Sequence, residues 1–282
     1  MTAPATRPSA PTRPTGRNWG AIAAIIKKDL TAVRRSKAVM IPMLAVPVLL
    51  LVILPLLIGL AARAQTGDMS SFLASIPDGL SEPILALPAE EQLIVLVNGY
   101  LLAPLFLIVP LMVSAVLAAD AFAGEKERRT METLLHLPIE NRDLFIAKLL
   151  GAFLPAVAVS WVGFLCFCVV ANTVAWPVMG RIFVPNSLWL VMILWVAPAV
   201  ATLGLGVMVR VSVRARSTQE ANQLGGAVVL PLIFLAVGQS TGLLLLDLPV
   251  ALAIGAVIWV LALALTIRGA RRFTRDQLAT RI

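Results

Sequence analysis

The sequence predicts an all-α integral membrane protein with six transmembrane helices, and three observations support this. Of its 282 residues, 59% are hydrophobic and only 13% are charged, whereas a soluble domain is nearer half apolar and a quarter charged. The apolar residues form six charge-free runs, each long enough for the ~20 helical residues that cross a bilayer. The lysines and arginines lie between these runs with a strong asymmetry, which predicts the orientation.

The six runs can be read directly from the sequence. We expect the third helix to leave the membrane near Trp176 and Pro177, because tryptophan favours the interface and proline cannot continue a hydrogen-bonded helix. The runs are Ala38–Ala62, Leu93–Ala119, Leu149–Gly180, Ile182–Val209, Ala221–Leu246 and Leu248–Ile267.

The basic residues indicate which side of the membrane each connection faces. Eight precede the first run, five lie between the second and third, three lie between the fourth and fifth, and five follow the sixth. Only Arg63 and Arg181 fall on the other side. Since lysine and arginine accumulate on the cytoplasmic side, both termini are predicted to be cytoplasmic, with the protein in the cytoplasmic (inner) membrane.

This composition excludes a disordered protein, a nucleic-acid-binding domain and an ordinary cytosolic enzyme. The net charge of +8 would suit a nucleic-acid partner only if the basic residues formed one solvated patch, but they are spread over four segments. We therefore expect no nucleic-acid partner. Cys166 and Cys168 lie two residues apart inside an apolar run and are poorly placed for a structural disulfide.

The parts outside the runs divide the chain further. Residues 1–18 are rich in Pro, Thr, Ala and Arg without periodicity, which predicts a disordered cytoplasmic lead. Residues 269–282 form a basic cytoplasmic tail, and residues 38–268 form the six-span domain. The first run is too long and contains too many prolines for a signal peptide.

Residues 19–37 are predicted to form an amphipathic elbow helix. At 100° per residue its apolar side chains fall within an arc of about 100°, with basic residues on the other side. Such a helix lies in the headgroup plane, either as a simple anchor or as an elbow that also touches a cytoplasmic partner. The apolar residues are Trp19, Ile22, Ala23, Ile26, Leu30 and Val33.

The cytoplasmic loop 120–148 is the most informative segment. Charges alternate in sign from Glu125 to Arg129, and Met131, Leu134 and Leu135 then repeat at helical spacing before Pro138. This pattern predicts a short helix that is too short to be stable alone in water. It is therefore expected to pack on its own bundle or in the groove of a partner protein.

The run FAGEKERRTMETLLHLPIENRDLFIAKLL resembles the signature loop of the type-2 ABC transporter permeases, in the branch that includes sodium-export and multidrug-export permeases. The six-span layout and the amphipathic N-terminal helix fit the same family. The matching positions are Gly124, Glu125, Glu127, Thr130, Glu132, Leu134, Leu135, Pro138 and Lys148.

This resemblance implies a function and a set of partners. In the family the loop carries a coupling helix that docks in a groove of an ATPase subunit. Glu125, Glu127 and Glu132 would contact that subunit, and Leu134 and Leu135 would fill its groove. The complex would contain two ATPase copies and a second permease chain, either identical or different. ATP and Mg would be bound by the ATPase, with no cofactor in this chain.

Several absences from the sequence argue against catalysis. It contains no Gly-x-x-x-x-Gly-Lys-Ser/Thr phosphate-binding loop. The single histidine, His136, lies in the cytoplasmic loop, which argues against an intramembrane metalloenzyme. No Asp, Glu, Lys, Arg or His lies inside the six runs, which weighs against an ion-coupled carrier and weakens a sodium-export role.

Polar residues inside the runs are the candidates for a transport pathway. Uncharged groups suit an amphipathic or lipid-like substrate better than a sugar or an ion, although they also serve as ordinary helix-packing contacts. The candidates are Asn98, Ser114, Asn172, Thr202, Gln239, Ser240 and Thr241.

Breaks in the runs point to places where helices bend. Gly238–Gly242 resembles a turn, so the fifth helix is predicted to run from about Asn222 to near Val237, followed by a re-entrant piece over Leu243–Leu246. Pro104 and Pro110 predict mobile kinks in the second span.

Together these observations predict the membrane-spanning permease subunit of an ATP-driven exporter. The cargo would be an amphipathic compound, a drug or a lipid-like molecule, with Na⁺ as a further option. The alternatives are a stand-alone secondary carrier or channel, and a non-transporting membrane scaffold.

Overall fold

A computed structural model describes residues 18–64, 84–128, 139–215, 217–240 and 248–272. Within these ranges the chain is helical and contains no strand. We number its helical segments α1 (Trp19–Arg35), α2 (37–64), α3 (89–127), α4 (Asn141–Met179), α5 (187–214), α6 (218–240) and α7 (Leu248–Arg272).

Five helices in the described residues are long and apolar enough to cross a membrane. This confirms the predicted all-α membrane fold. They match the first, second, third, fourth and sixth predicted runs, and they cover Val39–Arg63, Glu90–Gly124, Asn141–Met179, Ser187–Ser212 and Leu248–Ala270.

Helix α6 occupies the remaining predicted span and consists of three pieces. Thr218–Gly225 and Leu230–Ser240 are α-helical, and a 3₁₀ turn over Gly226–Val229 joins them. The predicted stop near Val237 is wrong, because the helix continues to Ser240. It also starts at Thr218 rather than at about Asn222, because the Ser217 side chain caps the helix by accepting a hydrogen bond from the Glu220 N–H. Thr241 and the predicted re-entrant piece lie outside the described residues, so the count of six spans stays a prediction.

Two spans extend beyond the borders predicted from charge. Helix α3 continues to Glu127, and α4 begins at Asn141, well before the predicted Leu149. Both ends of the predicted loop 120–148 are therefore helical, and Glu125 continues the span instead of opening a separate helix. The predicted borders fail because the charged residues at these two helix ends pair with each other.

Helices α3 and α5 form the centre of the bundle. The most apolar stretch of α3 is 67% buried and that of α5 is 61% buried, against 28% or less in the other three spans. The two central helices meet α4 in an aromatic cluster, where Trp189 of α5 contacts the rings of Phe106, Phe164 and Phe167 at centroid distances of 4.7–5.7 Å. The outer helices expose apolar side chains, as expected for surfaces that face lipid.

Three wide, π-type turns interrupt the spans next to prolines. They cover Leu49–Ile53, Val95–Leu101 and Met192–Val196, and each ends two or three residues before Pro55, Pro104 or Pro198. A proline has no N–H to bind the carbonyl four residues earlier, and in each case that carbonyl lies within the wide turn. A fourth wide turn, Asp120–Gly124, has no proline to explain it.

The amphipathic segment forms α1, capped by the side chain of Asn18, which accepts a hydrogen bond from the Ala21 N–H. Ile22 and Ile25 of α1 are buried against Leu144 and Ala147 of α4. Ile26 is partly buried against the same cluster, as predicted, but the buried stripe contains Ile25, which was not predicted, and lacks Ala23, which is exposed. Packing on α4 rotates the helix so that Trp19 and Leu30 stay exposed.

The described parts of the basic segments lie at one end of the bundle, in agreement with the charge asymmetry. Here α1 contacts the end of α3 and the start of α4, and Gly269 of α7 packs beside Val209 of α5. We call this the basic end. Arg63 and Arg181 lie at the other end, which we call the opposite end. The assignment of the basic end to the cytoplasmic side stays a prediction.

Candidate functional site

Four charged residues from three helices meet at the basic end, and we call them the ionic cluster: Lys28 and Asp29 of α1, Glu125 of α3 and Lys148 of α4. The Lys148 ammonium pairs with Glu125 Oε2 and donates a hydrogen bond to the Ala121 carbonyl at 2.7 Å. Lys28 Nζ lies 2.9 Å from Glu125 Oε1. The side chains of Lys148 and Glu125 are only 0% and 5% exposed, so the two charges are buried together.

The surroundings of Lys148 satisfy its charge. A buried charge is tolerated when it is paired and hydrogen-bonded, and Lys148 has both a carboxylate and a carbonyl. Its ammonium also lies 5.6 Å from the centre of the Phe122 ring, a cation–π distance. The wide turn Asp120–Gly124 contains the Ala121 carbonyl that Lys148 binds. Wide turns of this kind recur at functional sites, and this one contributes a backbone carbonyl of α3 that accepts the hydrogen bond from Lys148.

Asp29 is the least satisfied member of the cluster. Its Oδ1 lies 3.2 Å from Lys28 Nζ, while its Oδ2 is buried without a hydrogen-bond partner. Burial raises the pKa of Asp29, although the charges of Lys148 and Lys28 oppose this effect. The ionic cluster therefore contains two ammonium groups and two carboxyl groups. Burial of the Asp29 carboxyl group is unfavourable, because one of its oxygens has no hydrogen-bond partner in the part of the chain that the structure describes.

A second contact ties the end of α3 to the start of α6. Glu127 Oε2 accepts hydrogen bonds from the Thr218 N–H at 3.0 Å and the Thr218 hydroxyl at 3.1 Å. These hydrogen bonds lower the pKa of Glu127. Thr218 is the first residue of α6, and a carboxylate is favourable at a helix N-terminus. Glu125 and Glu127 thus connect one helix end to three other helices.

Gly124 allows this close approach. A Cβ atom at position 124 would lie 2.9 Å from Asp120 Oδ1 and 3.2 Å from the Thr218 hydroxyl. Arg128 adds a surface ion pair, with its guanidinium 3.2 Å from Asp120 Oδ1. The glycine of the matched motif therefore has a packing role between α3 and α6.

The predicted coupling residues fall into two groups. Gly124 and Glu125 are buried and Glu127 is exposed. Direct contact of Glu125 with a partner does not fit this geometry, because Lys148 and Lys28 occupy its oxygens. Lys148, predicted to be the last residue of the loop, lies inside α4 and is fully buried. The remaining residues lie outside the described residues: Thr130, Glu132, Leu134, Leu135 and Pro138.

Three of the predicted pathway residues satisfy the backbone around them. The Asn172 side chain donates to the Val184 carbonyl at 2.6 Å and accepts from the Phe183 N–H at 3.0 Å, which closes the turn after α4. Ser114 and Thr202 donate to carbonyls of their own helices at 2.9 and 2.8 Å. These side chains act as packing and turn contacts in this structure.

The other pathway candidates differ. Asn98 is buried, and its side-chain oxygen has no hydrogen-bond partner, while its backbone carbonyl accepts a hydrogen bond from the Trp189 indole at 3.2 Å. Gln239 and Ser240 belong to the last turn of α6, where their side chains are not described. Thr241 lies outside the described residues.

A cleft of about 740 Å³ opens at the basic end between α2, α3, α5 and α6. Its described lining contains none of Asn98, Ser114, Asn172 and Thr202, the predicted pathway residues whose side chains the structure describes. One sequence signal for it was missed: Gln219, Asn222 and Gln223 repeat at helical spacing in the first turns of α6. The cleft is lined by Ser36, Val39, Pro42, Leu111, Met112, Ala115, Val116, Asp120, Glu127, Arg128, Gly204, Met208, Thr218, Gln219, Asn222, Gln223, Gly225, Gly226, Val228 and Val229.

Comparison with known proteins identifies the family. Among curated proteins no match to the chain is found. The family described as ABC-2 family transporter protein matches residues 23–266, which contain the ionic cluster, the cleft and nearly all of the six runs. Its members are membrane transport subunits, usually without catalytic activity, that generally work with an ABC ATPase. The chain therefore belongs to the ABC-2 family of transporters, as a multi-pass membrane protein of the permease type.

Proposed function

We propose that this chain is the permease subunit of an ATP-driven exporter, and that a separate ATPase subunit docks at its basic end. The observation that carries the proposal is the ionic cluster, in which buried charges join α1, α3 and α4 beside the loop that resembles a coupling helix. The ATPase would be present in two copies and would hold ATP and Mg. A second permease chain, identical or different, would complete the pathway in the inner membrane.

The contacts at the basic end can pass a displacement of the loop into the bundle. A displacement of the loop between α3 and α4 would move the end of α3 and the start of α4 together, because the Lys148–Glu125 ion pair joins them. Lys28 carries the movement into α1, and Glu127 carries it into α6. Electrostatic attraction is stronger in a buried, low-dielectric site, which makes this junction stiff. Since α3 lies at the bundle centre, its displacement affects the packing of α4 and α5.

This proposal changes the roles expected for the three glutamates. Glu125 acts inside the permease as a positioning residue, and Glu127 holds α6. Glu132, Leu134 and Leu135 remain the proposed contacts to the ATPase. We further propose an amphipathic cargo and a place in the sodium-export and multidrug-export branch, on the resemblance of the loop.

Affinity purification from native membranes tests the proposal. The chain is purified in mild detergent beside a variant in which a flexible linker of equal length replaces residues 129–138, which leaves the ionic cluster intact. A matched control carries a linker of equal length in place of residues 66–75, in the connection between α2 and α3. Co-purified proteins are identified by mass spectrometry.

We expect an ABC ATPase with the intact chain and with the control, and none with the 129–138 variant. An ATPase that accompanies all three proteins would reject the loop as the docking site. If no ATPase accompanies any of them, the exporter proposal is wrong, and a stand-alone carrier or a scaffold takes its place.

A further inference from the structure

We propose that the cleft between α2, α3, α5 and α6 binds amphipathic small molecules that carry one positive charge. The interpretation of this cleft as a site where cargo enters the transporter rests on the proposed exporter function. The binding itself depends only on this chain, because every element that carries the inference belongs to the described residues.

The size and inner wall of the cleft suit an apolar molecular body. Its volume of about 740 Å³ falls within the roughly 300–1,000 Å³ of typical small-molecule sites. Leu111 and Met112 of α3 and Met208 of α5 contribute to the wall. Methionine side chains are flexible and polarizable, so they adapt to ligands of different shape. The wall therefore favours apolar groups without requiring one particular outline.

The opposite wall offers hydrogen bonds. Gln219, Asn222 and Gln223 share one face of α6, since residues three and four apart are neighbours on a helix. All three line the cleft, and none of their side chains makes a hydrogen bond to another residue that the structure describes. A carboxamide both donates and accepts hydrogen bonds. A ligand with an apolar body and a polar head can thus satisfy both walls at once.

The charge of the cleft favours a cationic head. The charged lining residues in the described ranges are Asp120, Glu127 and Arg128. Arg128 lies 3.2 Å from Asp120 and also interacts electrostatically with Glu127, so two carboxylates and one guanidinium give the described lining a net charge of −1. The hydrogen bonds from Thr218 lower the pKa of Glu127, so its carboxylate is ionised at neutral pH. Charge complementarity then favours cations and disfavours anions.

Equilibrium binding to the purified chain in lipid nanodiscs, without any ATPase, tests this inference. Radiolabelled tetraphenylphosphonium is the probe. Triphenylphosphine oxide, which is neutral, and tetraphenylborate, which is an anion, are the competitors of similar shape. We expect saturable binding above that of empty nanodiscs, displacement by the neutral compound at higher concentration, and the weakest displacement by the anion.

Two variants locate the binding. Ala115→Phe places a ring inside the cleft, and we expect it to weaken tetraphenylphosphonium binding by roughly tenfold or more, because the ring occupies the ligand volume. Ala253→Phe is the matched control, since Ala253 of α7 is exposed on the outer surface and its replacement should leave binding unchanged. Glu127→Gln should lower the preference for the cation over the neutral compound by about threefold, as expected for one exposed charge.

Unchanged binding to Ala115→Phe, or tightest binding of tetraphenylborate, would overturn the inference. Thermal unfolding of each variant checks that it is folded; if Ala115→Phe is not, Asn222→Leu replaces it, with weaker binding of the cation expected and unchanged binding rejecting the site. Because the assay contains no ATPase, its failure is distinguishable from a failure of the exporter proposal. If the chain binds the cation but recruits no ATPase, the binding site in the cleft is supported and the exporter proposal is wrong.

Discussion

The two ends of the bundle are held together by different chemistry. At the basic end, ion pairs to the buried Glu125 connect helices that are far apart in sequence, and Lys28 is 97 positions away from it. At the opposite end, the amide of Asn172 closes a turn only 11 positions away. The contacts between distant segments there come from exposed arginines: Arg63 of α2 donates to the Val174 carbonyl of α4 at 2.7 Å, and Arg181 pairs with Glu91 of α3 at 2.6 Å.

This difference separates a junction that contains buried charges from contacts made by exposed arginines and one neutral amide. A buried ion pair becomes strongly unfavourable when one partner is removed, so the helices that carry it must move together. The Asn172 amide holds one turn in shape, and the arginine contacts at that end are exposed and therefore weak. The basic end is thus suited to transmit movement between helices, and the opposite end couples its helices more weakly. Three substitutions test this contrast, in order of decreasing effect.

The largest effect is expected from Lys148→Met. It leaves the Glu125 carboxylate buried beside Lys28 alone, which costs about 3–5 kcal/mol for a broken buried pair. The free energy of unfolding, or the thermal midpoint in detergent, measures the loss. We also expect the ATPase of the complex to lose its response to cargo, because α3 and α4 are no longer held together.

Two companion variants control this prediction. Lys28→Met removes a partner whose side chain is 51% exposed, so its loss should cost about 1 kcal/mol or less. The double variant Lys148→Met with Glu125→Gln removes both charges and should recover part of the stability. Equal losses for Lys148→Met and Lys28→Met would contradict the central role of the buried pair.

An intermediate effect is expected from Asn172→Leu at the opposite end. The substitution leaves the Val184 carbonyl and the Phe183 N–H without their partner, at about 1–3 kcal/mol for buried groups that lose their hydrogen bonds. Amide hydrogen exchange should become faster over residues 180–186 and stay unchanged over residues 121–127. Faster exchange at both ends would show that the two ends are not independent.

The smallest effect, and one that depends on pH, is expected from Asp29→Asn. Burial raises the pKa of Asp29 above its ordinary value of 3.8, so between these two pKa values the folded protein binds more protons than the unfolded chain. Stability therefore falls as the pH rises through this window. The asparagine should stabilise the protein above the window, by about 1 kcal/mol or less, and the gain should disappear towards pH 3.8. Thermal midpoints from acidic to mildly alkaline pH measure this, and a gain that is independent of pH would reject the explanation.

The sequence predicts most of the fold because the governing rule is local. In lipid every backbone polar group needs an internal partner, so a long apolar run must be helical. The borders of the spans are harder to predict, because a charged residue normally marks the point where a helix leaves the membrane. Lys148 and Glu125 remain inside the protein by pairing with each other, and nothing in either segment alone indicates that pairing.

The site was predictable only in part, for the same reason. The resemblance of the loop drew attention to Gly124, Glu125, Glu127 and Lys148, but it did not indicate that Lys28 and Asp29 meet them. Polar residues inside the runs led to Asn172 and Thr202, which satisfy the backbone around them. The amides that line the cleft lie in the first turns of α6, mostly at the edge of the fifth run. Polar residues are common at the border of a membrane span, so their presence there does not indicate a site.

The spacing of Glu125 and Glu127 has a mechanical consequence. Successive residues of an α-helix are about 100° apart, so residues two apart project in nearly opposite directions. Glu125 thus connects one face of the end of α3 to α1 and α4, and Glu127 connects the opposite face to α6. A small rotation of α3 about its helix axis would move α6 in one direction and α1 and α4 in the other. Rotation, with little translation, would then be enough to change the width of the cleft.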